Sequence, residues 1–178
     1  MHYNVFVDTG SDTVTRKKPR KVFAGIVDGH DSCMIVIPKI SPLITISCTT
    51  CGELYGILKM IQHVKQNYDF EGCTIVCDCE SAVNYCKGIA VPRTKNNHCG
   101  EATALIKQEI DGHNITFMHM TSKECPQISY CDMVGRRMRR FALGSKEDVA
   151  PTIKQVKKMI NNYPDLQHDL KGYDIILV

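Results

Sequence analysis

The run Cys73-Thr-Ile-Val-Cys-Asp78 is apolar almost throughout and ends in an aspartate. Strands that are buried on both faces show continuous hydrophobic runs of this kind, whereas strands with one solvated face alternate between apolar and polar residues. The run therefore predicts a central strand of a sheet, with Asp78 at the carboxyl end of that strand.

Three strands are predicted ahead of this run, and we expect them to form an antiparallel meander. Their β-branched and aromatic residues place them at Tyr3–Asp8, Val22–Val27 and Ser32–Pro38. The polar and basic segment Thr9–Lys21 is predicted to be a loop, and Asp28–Asp31 a turn.

A long helix is predicted between the meander and the central strand, with Thr49 or Thr50 as its N-cap. Its apolar residues, from Leu54 to Val64, recur at the spacing of one buried helical face. The order of all elements predicts an α/β fold with a mixed five-stranded sheet, three strands antiparallel and then two parallel, flanked by helices. The remaining predicted elements are helices at Glu80–Lys87, Glu101–Asp111 and 129–142, a strand at Asn114–Met120, and loops at Gly88–Gly100 and Ser122–Gln127.

Length and composition are those of a globular protein with one main domain. Of the 178 residues, 43% are hydrophobic and 23% charged, which excludes a disordered or collagen-like chain. No apolar stretch is long enough to span a membrane, and the first residues lack the pattern of a secretory signal. We therefore expect an intracellular protein, cytoplasmic or nuclear, with no membrane partner.

Ten cysteines are a high number for a chain of this length. Without a secretory signal, they are expected to be thiols in a reducing compartment rather than disulfides. Cys48 and Cys51 have the spacing of a zinc-binding pair, but no second pair with that spacing supplies the other two ligands. Free thiols are the preferred interpretation, and a structural zinc site is the alternative.

Positive charge is concentrated in two segments, although the net charge is only +3. Two basic patches suit a phosphate-bearing partner. The alternatives are a solvated loop and helix face, or a nuclear-import signal in the first segment. The first segment contains Arg16, Lys17, Lys18, Arg20 and Lys21, and the second contains Arg136, Arg137, Arg139 and Arg140.

Four acidic residues are predicted at strand ends or in first helical turns. Asp8 and Asp78 end strands, whereas Glu53 and Asp132 lie in first turns of helices. Such positions converge in space, and carboxylates that converge repel one another unless a cation neutralises them. Two Mg²⁺ ions, for which Mn²⁺ can substitute, suit an all-oxygen cluster and phosphodiester hydrolysis. Helix dipoles and turns can explain each residue alone, but all four in this order favour a common site.

In order and context these residues resemble the four carboxylates of type 1 ribonuclease H. The resemblance implies a ribonuclease H-like domain over residues 1–144 that hydrolyses the RNA strand of RNA–DNA hybrids as an endonuclease. The matching segments are Val5-Phe-Val-Asp8-Thr-Gly-Ser, Thr49-Thr-Cys-Gly-Glu53-Leu-Tyr-Gly-Ile-Leu, Ile75-Val-Cys-Asp78-Cys-Glu-Ser-Ala-Val and Tyr130-Cys-Asp132-Met-Val-Gly.

The resemblance also implies a role for each carboxylate. Asp8 would bridge both metal ions, Glu53 and Asp78 would hold one ion, and Asp132 the other, beside the attacking water. The hybrid would be recognised through 2′-hydroxyls and backbone shape rather than base sequence. Substrate binding is assigned to the first basic segment and to Ser11, Thr50, Ser122 and Lys123.

The sequence departs from the family pattern at several positions. Thr9 is inserted after the first aspartate, and the substrate-contacting Asn and Arg that the family has near Thr50 are missing. The helical basic handle of some members has no counterpart. Ser122 stands where many members have a loop histidine that assists product release, and His119 is the candidate replacement.

Other interpretations stay open at this point. Val7-Asp-Thr-Gly-Ser11 also matches the aspartic-protease signature, but the predicted helices conflict with an almost all-β chain. A junction-resolving nuclease or a non-catalytic nucleic-acid-binding domain would keep the same fold. Residues 145–178 are predicted to be a helix–strand extension that packs on the core or contacts a protein partner, such as a polymerase domain.

Overall fold

The computed structural model describes residues 2–11, 21–28, 32–36, 48–93 and 97–132. Within these ranges the strands are β1 (His2–Ser11), β2 (Lys21–Asp28), β3 (Ser32–Val36), β4 (Gly72–Cys77) and β5 (Asn114–His119). The helices are α1 (Thr49–Asn67), α2 (Glu80–Lys87) and α3 (Asn97–Ile110), and residues 126–132 are also helical.

The described strands lie in one sheet in the order β3-β2-β1-β4-β5. The pairs β1–β2 and β2–β3 are antiparallel, whereas β1, β4 and β5 run parallel to one another. Ile75 of β4 pairs with Val5 on one side and with Phe117 on the other. The prediction of an α/β fold with helices flanking a mixed sheet is confirmed, and the parallel part consists of three strands.

Strand β4 is central among the parallel strands and is buried on both faces, as its apolar run predicts. Ile75 and Cys77 are 0% exposed and belong to the core that α1 covers. Val76, which points to the opposite face, is 3% exposed. The helical residues 126–132 reach the sheet next to Phe6, whose carbonyl oxygen accepts a hydrogen bond from the thiol of Cys131 at 3.6 Å.

Helix α1 presents the predicted apolar stripe to the sheet and to α3. Leu54, Ile57, Ile61 and Val64 are all completely buried, and burial of such a stripe stabilises a helix more than residue propensity does. Met60 extends the stripe over Gly25 of β2, where a Cβ atom would overlap its sulfur. The absence of a side chain at Gly25 therefore lets α1 lie close to the sheet.

Some predicted boundaries were wrong. Strand β1 continues through Ser11, because Thr9 pairs with Phe23 and Ser11 with Lys21 of β2, so the loop does not begin at Thr9. The N-cap of α1 is Cys48 rather than a threonine. Helix α3 begins inside the predicted 88–100 loop, and the last described helix begins at residue 126 rather than 129.

Several predictions fall outside the described residues. They concern the helix–strand extension at 145–178, the second basic segment, and Arg16, Lys17, Lys18 and Arg20 of the first. Within the described ranges, no helix combines the length and the hydrophobicity needed to cross a membrane.

Candidate active site

Asp8 and Asp78 lie at the same end of the sheet because their strands are parallel and in register. Val7 of β1 pairs with Cys77 of β4, and each aspartate is the next residue of its chain segment. Asp8 is only 7% exposed within β1, and Asp78 is half-buried directly after β4. The sheet thus joins two carboxylates from distant parts of the sequence.

Glu53 reaches this end of the sheet from the second turn of α1, not from the first turn as predicted, because the helix begins at Thr49. The helix begins at Thr49 because the sulfur of Cys48 accepts a hydrogen bond from the backbone N–H of Cys51 at 3.4 Å. Glu53 is 4% exposed, and its Oε2 accepts a hydrogen bond from the thiol of Cys77 at 3.8 Å. The ligand atoms of Glu53, Cys77 and Asp78 all lie within 4.8 Å of one another.

The electrostatics of Glu53 are those of a crowded carboxylate. Burial raises its pKa well above the usual range, and the negative charges of Asp8 and Asp78 raise it further, whereas hydrogen bonds from Thr9 lower it. Removing a carboxylate from water disfavours its charged form, and neighbouring negative charges act in the same direction. In the protein alone, Glu53 therefore holds a proton more readily than a solvated glutamate does.

Asp78 couples this cluster to Asp132. Burial raises the pKa of Asp78 and the charge of Asp132 raises it further, whereas its own backbone N–H and His119 lower it. Asp132 is half-buried at the end of the helical residues 126–132. The structure therefore brings all four sequence-predicted carboxylates into one electrostatically connected group, with Glu53 and Asp78 at its centre.

The donor set fits a hard divalent cation. Three of the four carboxylates are linked by mutual repulsion that raises the pKa of Glu53, and a bound cation would relieve that repulsion. Carboxylate oxygens are the ligands that Mg²⁺ and Mn²⁺ prefer. The thiol of Cys77 is the one soft atom in the group of three, and burial together with the charge of Glu53 raises its pKa well above the usual range, so it stays protonated.

No protein-family profile matches the sequence, and no curated protein matches it. Solved structures do match. LC9-RNase H1, a type 1 RNase H with the type 2 active-site motif, gives a TM-score of 0.57 at 9% identity, covering 98% of this chain and 86% of that chain. RNase H1 of the halophilic archaeon Halobacterium salinarum gives a TM-score of 0.54 at 7% identity, covering 74% of this chain and 94% of that chain. LC11-RNase H1, isolated from compost by a metagenomic approach, gives a TM-score of 0.54 at 12% identity, covering 74% of this chain and 91% of that chain.

The chain has a ribonuclease H-like fold. The resemblance inferred from the four acidic residues is thereby confirmed at the level of the fold. The aspartic-protease interpretation is wrong, because Asp8 lies in a strand of a mixed sheet covered by the long helix α1, not in an almost all-β chain.

Thr9, an insertion relative to the usual ribonuclease H pattern, connects β1 to α1 in this fold. Its backbone N–H donates to Oδ1 of Asp8 at 2.7 Å, and its hydroxyl donates to the carbonyl oxygen of Gly52 at 3.4 Å. The residue is 7% exposed. It therefore holds the helix that carries Glu53 against the strand that carries Asp8, a role that the sequence pattern did not reveal.

His119, the candidate replacement for the loop histidine of the ribonuclease H pattern, is the last residue of β5. It pairs with Cys77, and its Nε2 lies 3.1 Å from the backbone carbonyl oxygen of Asp78. A carbonyl oxygen can only accept, so Nε2 carries the hydrogen and Nδ1 is the nitrogen left for other partners. His119 thus lies beside the carboxylate group, and its role in product release stays a prediction.

The other predicted substrate residues lie around this end of the ribonuclease H-like sheet. Thr50 is half-buried in the first turn of α1, where its hydroxyl accepts a hydrogen bond from the thiol of Cys79 at 3.9 Å. Ser122 and Lys123 are exposed in the turn after β5. Glu124 fixes that turn by accepting hydrogen bonds from the backbone and hydroxyl of Thr121 at 2.9 and 2.7 Å.

Ser11 and Lys21 are the remaining predicted substrate residues within the described ranges. They are cross-strand partners at the paired ends of β1 and β2. This pairing places Ser11 and Lys21 at the end of the sheet where Asp8 and Asp78 lie.

Proposed function

We propose that this protein is a divalent-metal-dependent endonuclease that hydrolyses the RNA strand of RNA–DNA hybrids. The observation that carries the proposal is the convergence of Asp8, Glu53, Asp78 and Asp132 at one end of a ribonuclease H-like sheet. A group of four carboxylates, two buried and two half-buried, costs stability in the absence of a cation, so a purely structural role does not explain it.

The proposed cofactor is a pair of Mg²⁺ ions, for which Mn²⁺ can substitute. When bound, two such ions activate water and neutralise charge on the attacking and leaving oxygens of a phosphodiester. Asp8 would contact both ions, Glu53 and Asp78 would hold one, and Asp132 the other. Cys77 would position the Glu53 carboxylate through its hydrogen bond, and Thr9 would hold the helix that carries Glu53 through its hydrogen bond to Gly52.

Asp132 is the proposed partner of the attacking water. Its side chain lies beside Asp78 but is half-buried, whereas Glu53 is 4% exposed. A carboxylate with access to solvent can accept a proton from an incoming water and release it again. The burial of Glu53 therefore supports a holding role, and the partial exposure of Asp132, which Asp78 shares, leaves Asp132 able to accept a proton.

The proposed substrate partner is the hybrid duplex, and the basic segment Arg16–Lys21 is its proposed clamp. Lys21 and Ser11 pair at the end of the sheet that holds the carboxylates, so the segment between them begins and ends close to the proposed site. Lysine and arginine side chains position nucleic acid through phosphate contacts that carry little base specificity. Thr50, Ser122 and Lys123 would complete the substrate-binding surface around the carboxylates.

The test is cleavage of a labelled RNA–DNA hybrid with Mg²⁺ or Mn²⁺, beside single-stranded RNA, double-stranded RNA and a four-way DNA junction. Asp78→Asn removes one carboxylate of the cluster, and Asp111→Asn removes an exposed carboxylate after α3 as the matched control. We expect hybrid-specific cleavage that Asp78→Asn abolishes and Asp111→Asn leaves intact. Hybrid binding without cleavage would instead indicate a non-catalytic domain, and cleavage of the junction alone a resolvase.

A further inference from the structure

Two thiols outside the carboxylate group are in direct contact. The sulfurs of Cys48 and Cys99 lie 3.6 Å apart, although the two residues are 51 positions apart in sequence. Cys48 is half-buried and caps α1, whereas Cys99 lies in the first turn of α3 and is 1% exposed. The contact therefore joins the beginnings of two helices that pack on each other.

We propose that Cys48 and Cys99 are a reversible oxidation site, which forms an intramolecular disulfide by exchange with a low-molecular-weight disulfide such as oxidised glutathione. A disulfide requires sulfurs about 2 Å apart, so the two sulfurs, which lie 3.6 Å apart, have to approach by roughly 1.6 Å. This inference does not depend on the proposed nuclease function.

The exchange balances in two steps. The Cys48 thiolate attacks one sulfur of glutathione disulfide, the S–S bond of that molecule breaks, and one glutathione thiolate leaves. The Cys99 thiolate then attacks the Cys48 sulfur, forms the protein disulfide and releases the second glutathione. The two protons lost by the cysteines are taken up by the two glutathione thiolates, so two protein thiols are oxidised and one glutathione disulfide is reduced.

The order of attack follows from exposure. Cys48 is the more exposed of the two residues, whereas Cys99 is buried, and burial together with its contact to Cys48 raises the pKa of Cys99. A thiol with a raised pKa is a poor nucleophile towards a free oxidant. Once Cys48 carries glutathione, its sulfur is held beside Cys99, and this proximity favours the second step.

The neighbouring cysteines are less suited to this reaction. Cys51 also lies next to Cys99, but it is 0% exposed and so has no access for the first step. Cys73 and Cys86 are buried as well, at 0% and 6% exposed, so neither can make the first attack. The half-buried Cys48 and its contact with Cys99 therefore select this pair.

The bond would fix the beginning of α1 to α3. The sulfur of Cys48 is the hydrogen-bond acceptor that caps α1, and Glu53 lies little more than one turn further along the same helix. A cross-link here constrains the unfolded chain over the long loop between the two cysteines. The oxidised protein should consequently unfold at a temperature several degrees higher than the reduced protein.

The experiment exposes the reduced full chain to a series of reduced-to-oxidised glutathione ratios. Alkylation and intact mass count the remaining thiols, and peptide mapping identifies the linked cysteines. We expect loss of two thiols, a Cys48–Cys99 cross-linked peptide and full recovery with dithiothreitol. Cys99→Ser should instead accumulate glutathione on Cys48, and Cys48→Ser should leave Cys99 unmodified.

Cys86→Ser is the matched control, since it removes a buried thiol elsewhere and should leave the cross-link unchanged. Mapping of the unmutated chain needs no variant to fold, so the result does not depend on the stability of the serine variants. A chain that keeps both thiols at oxidising ratios, or that links Cys51 to Cys99, would overturn the proposal. Because no cleavage assay enters the experiment, its result is separate from that of the nuclease test.

Discussion

Cys77 places its thiol 3.8 Å from Oε2 of Glu53, and so connects the end of β4 to the beginning of α1 inside the core. The thiol is completely buried, and its raised pKa keeps the hydrogen available for the carboxylate. A neutral donor at this point satisfies one oxygen of a carboxylate that is surrounded by other negative charges.

Two replacements of Cys77 are therefore expected to distinguish the contribution of its packing to stability from the contribution of its hydrogen bond. Cys77→Ala should lower the free energy of unfolding by about 2 kcal/mol, because it removes a hydrogen bond to a carboxylate and leaves a small cavity. Cys77→Ser keeps a donor and should lose less. Urea denaturation measures the free energy of unfolding of both variants, analysed with the same dependence on urea concentration. An alanine variant as stable as the original chain would contradict this role.

Thr9 offers a second conservative pair of variants. Thr9→Val removes the hydroxyl that donates to the Gly52 carbonyl oxygen, whereas Thr9→Ser keeps it. We expect Thr9→Val to lower the free energy of unfolding by about 1 kcal/mol. We also expect kcat for hybrid cleavage to fall further in Thr9→Val than in Thr9→Ser, with little change in KM. Equal kcat values for the two variants would show that the hydroxyl does not position Glu53.

The raised pKa of Glu53 predicts the pH dependence of stability. The folded chain holds this proton more tightly than the unfolded chain, so this contribution is present below the ordinary pKa of 4.5 and is lost as pH rises through the folded-state pKa. Without metal, Glu53→Gln should therefore raise the free energy of unfolding at pH 8 by roughly 1 kcal/mol. The decrease of that free energy with rising pH should also be smaller in the variant.

Divalent metal should relieve the same repulsion between Glu53 and the neighbouring carboxylates. Mg²⁺ or Mn²⁺ is expected to raise the melting temperature of the original chain at pH 8 and to do so much less for Glu53→Gln, because the carboxylate that repels its neighbours is then absent. Calorimetry at matched ionic strength with and without chelator checks this. An equal rise in both proteins would place the bound ion away from Glu53.

Gly72 is predicted to be intolerant of a side chain. A Cβ atom at this position would overlap the backbone carbonyl oxygen of Asn114 in the neighbouring strand. Gly72→Ala should cost about 2 kcal/mol or more, because backbone of β4 or β5 has to move. Gly100→Ala in α3 meets nothing within 4 Å and should be neutral or stabilising, so thermal melts of the two variants give opposite results.

The elements that hold the site could be predicted where local pattern and tertiary structure agree. The apolar run ending at Asp78 and the helical stripe of α1 both predict their elements because burial dictates composition there. Thr9 to Ser11 look like a loop by composition, but pairing with β2 makes them strand. Cysteine is an uncommon N-cap, so Cys48 gave no signal in the sequence.

The hydrogen bonds that organise the carboxylates could not be predicted in the same way. The contact of Cys77 with Glu53 depends on how closely α1 approaches β4, and the contact of Thr9 with Gly52 depends on where α1 begins relative to β1. Both distances are set by packing, including the space left at Gly25 beneath Met60. Residue order could indicate which carboxylates meet, but not which neutral groups lie between them.

The mixed pairing of β1 also determines when the carboxylate group can assemble during folding. β1 can pair with β2, and β2 with β3, as soon as these strands have been synthesised, because antiparallel contacts of this kind are local. Its parallel partner β4 follows only after the whole of α1, and Asp132 later still. Asp8 is thus held in place early, without its acidic neighbours. The four carboxylates come together, and repel one another, only after most of the hydrophobic core has formed and can stabilise the fold against that repulsion.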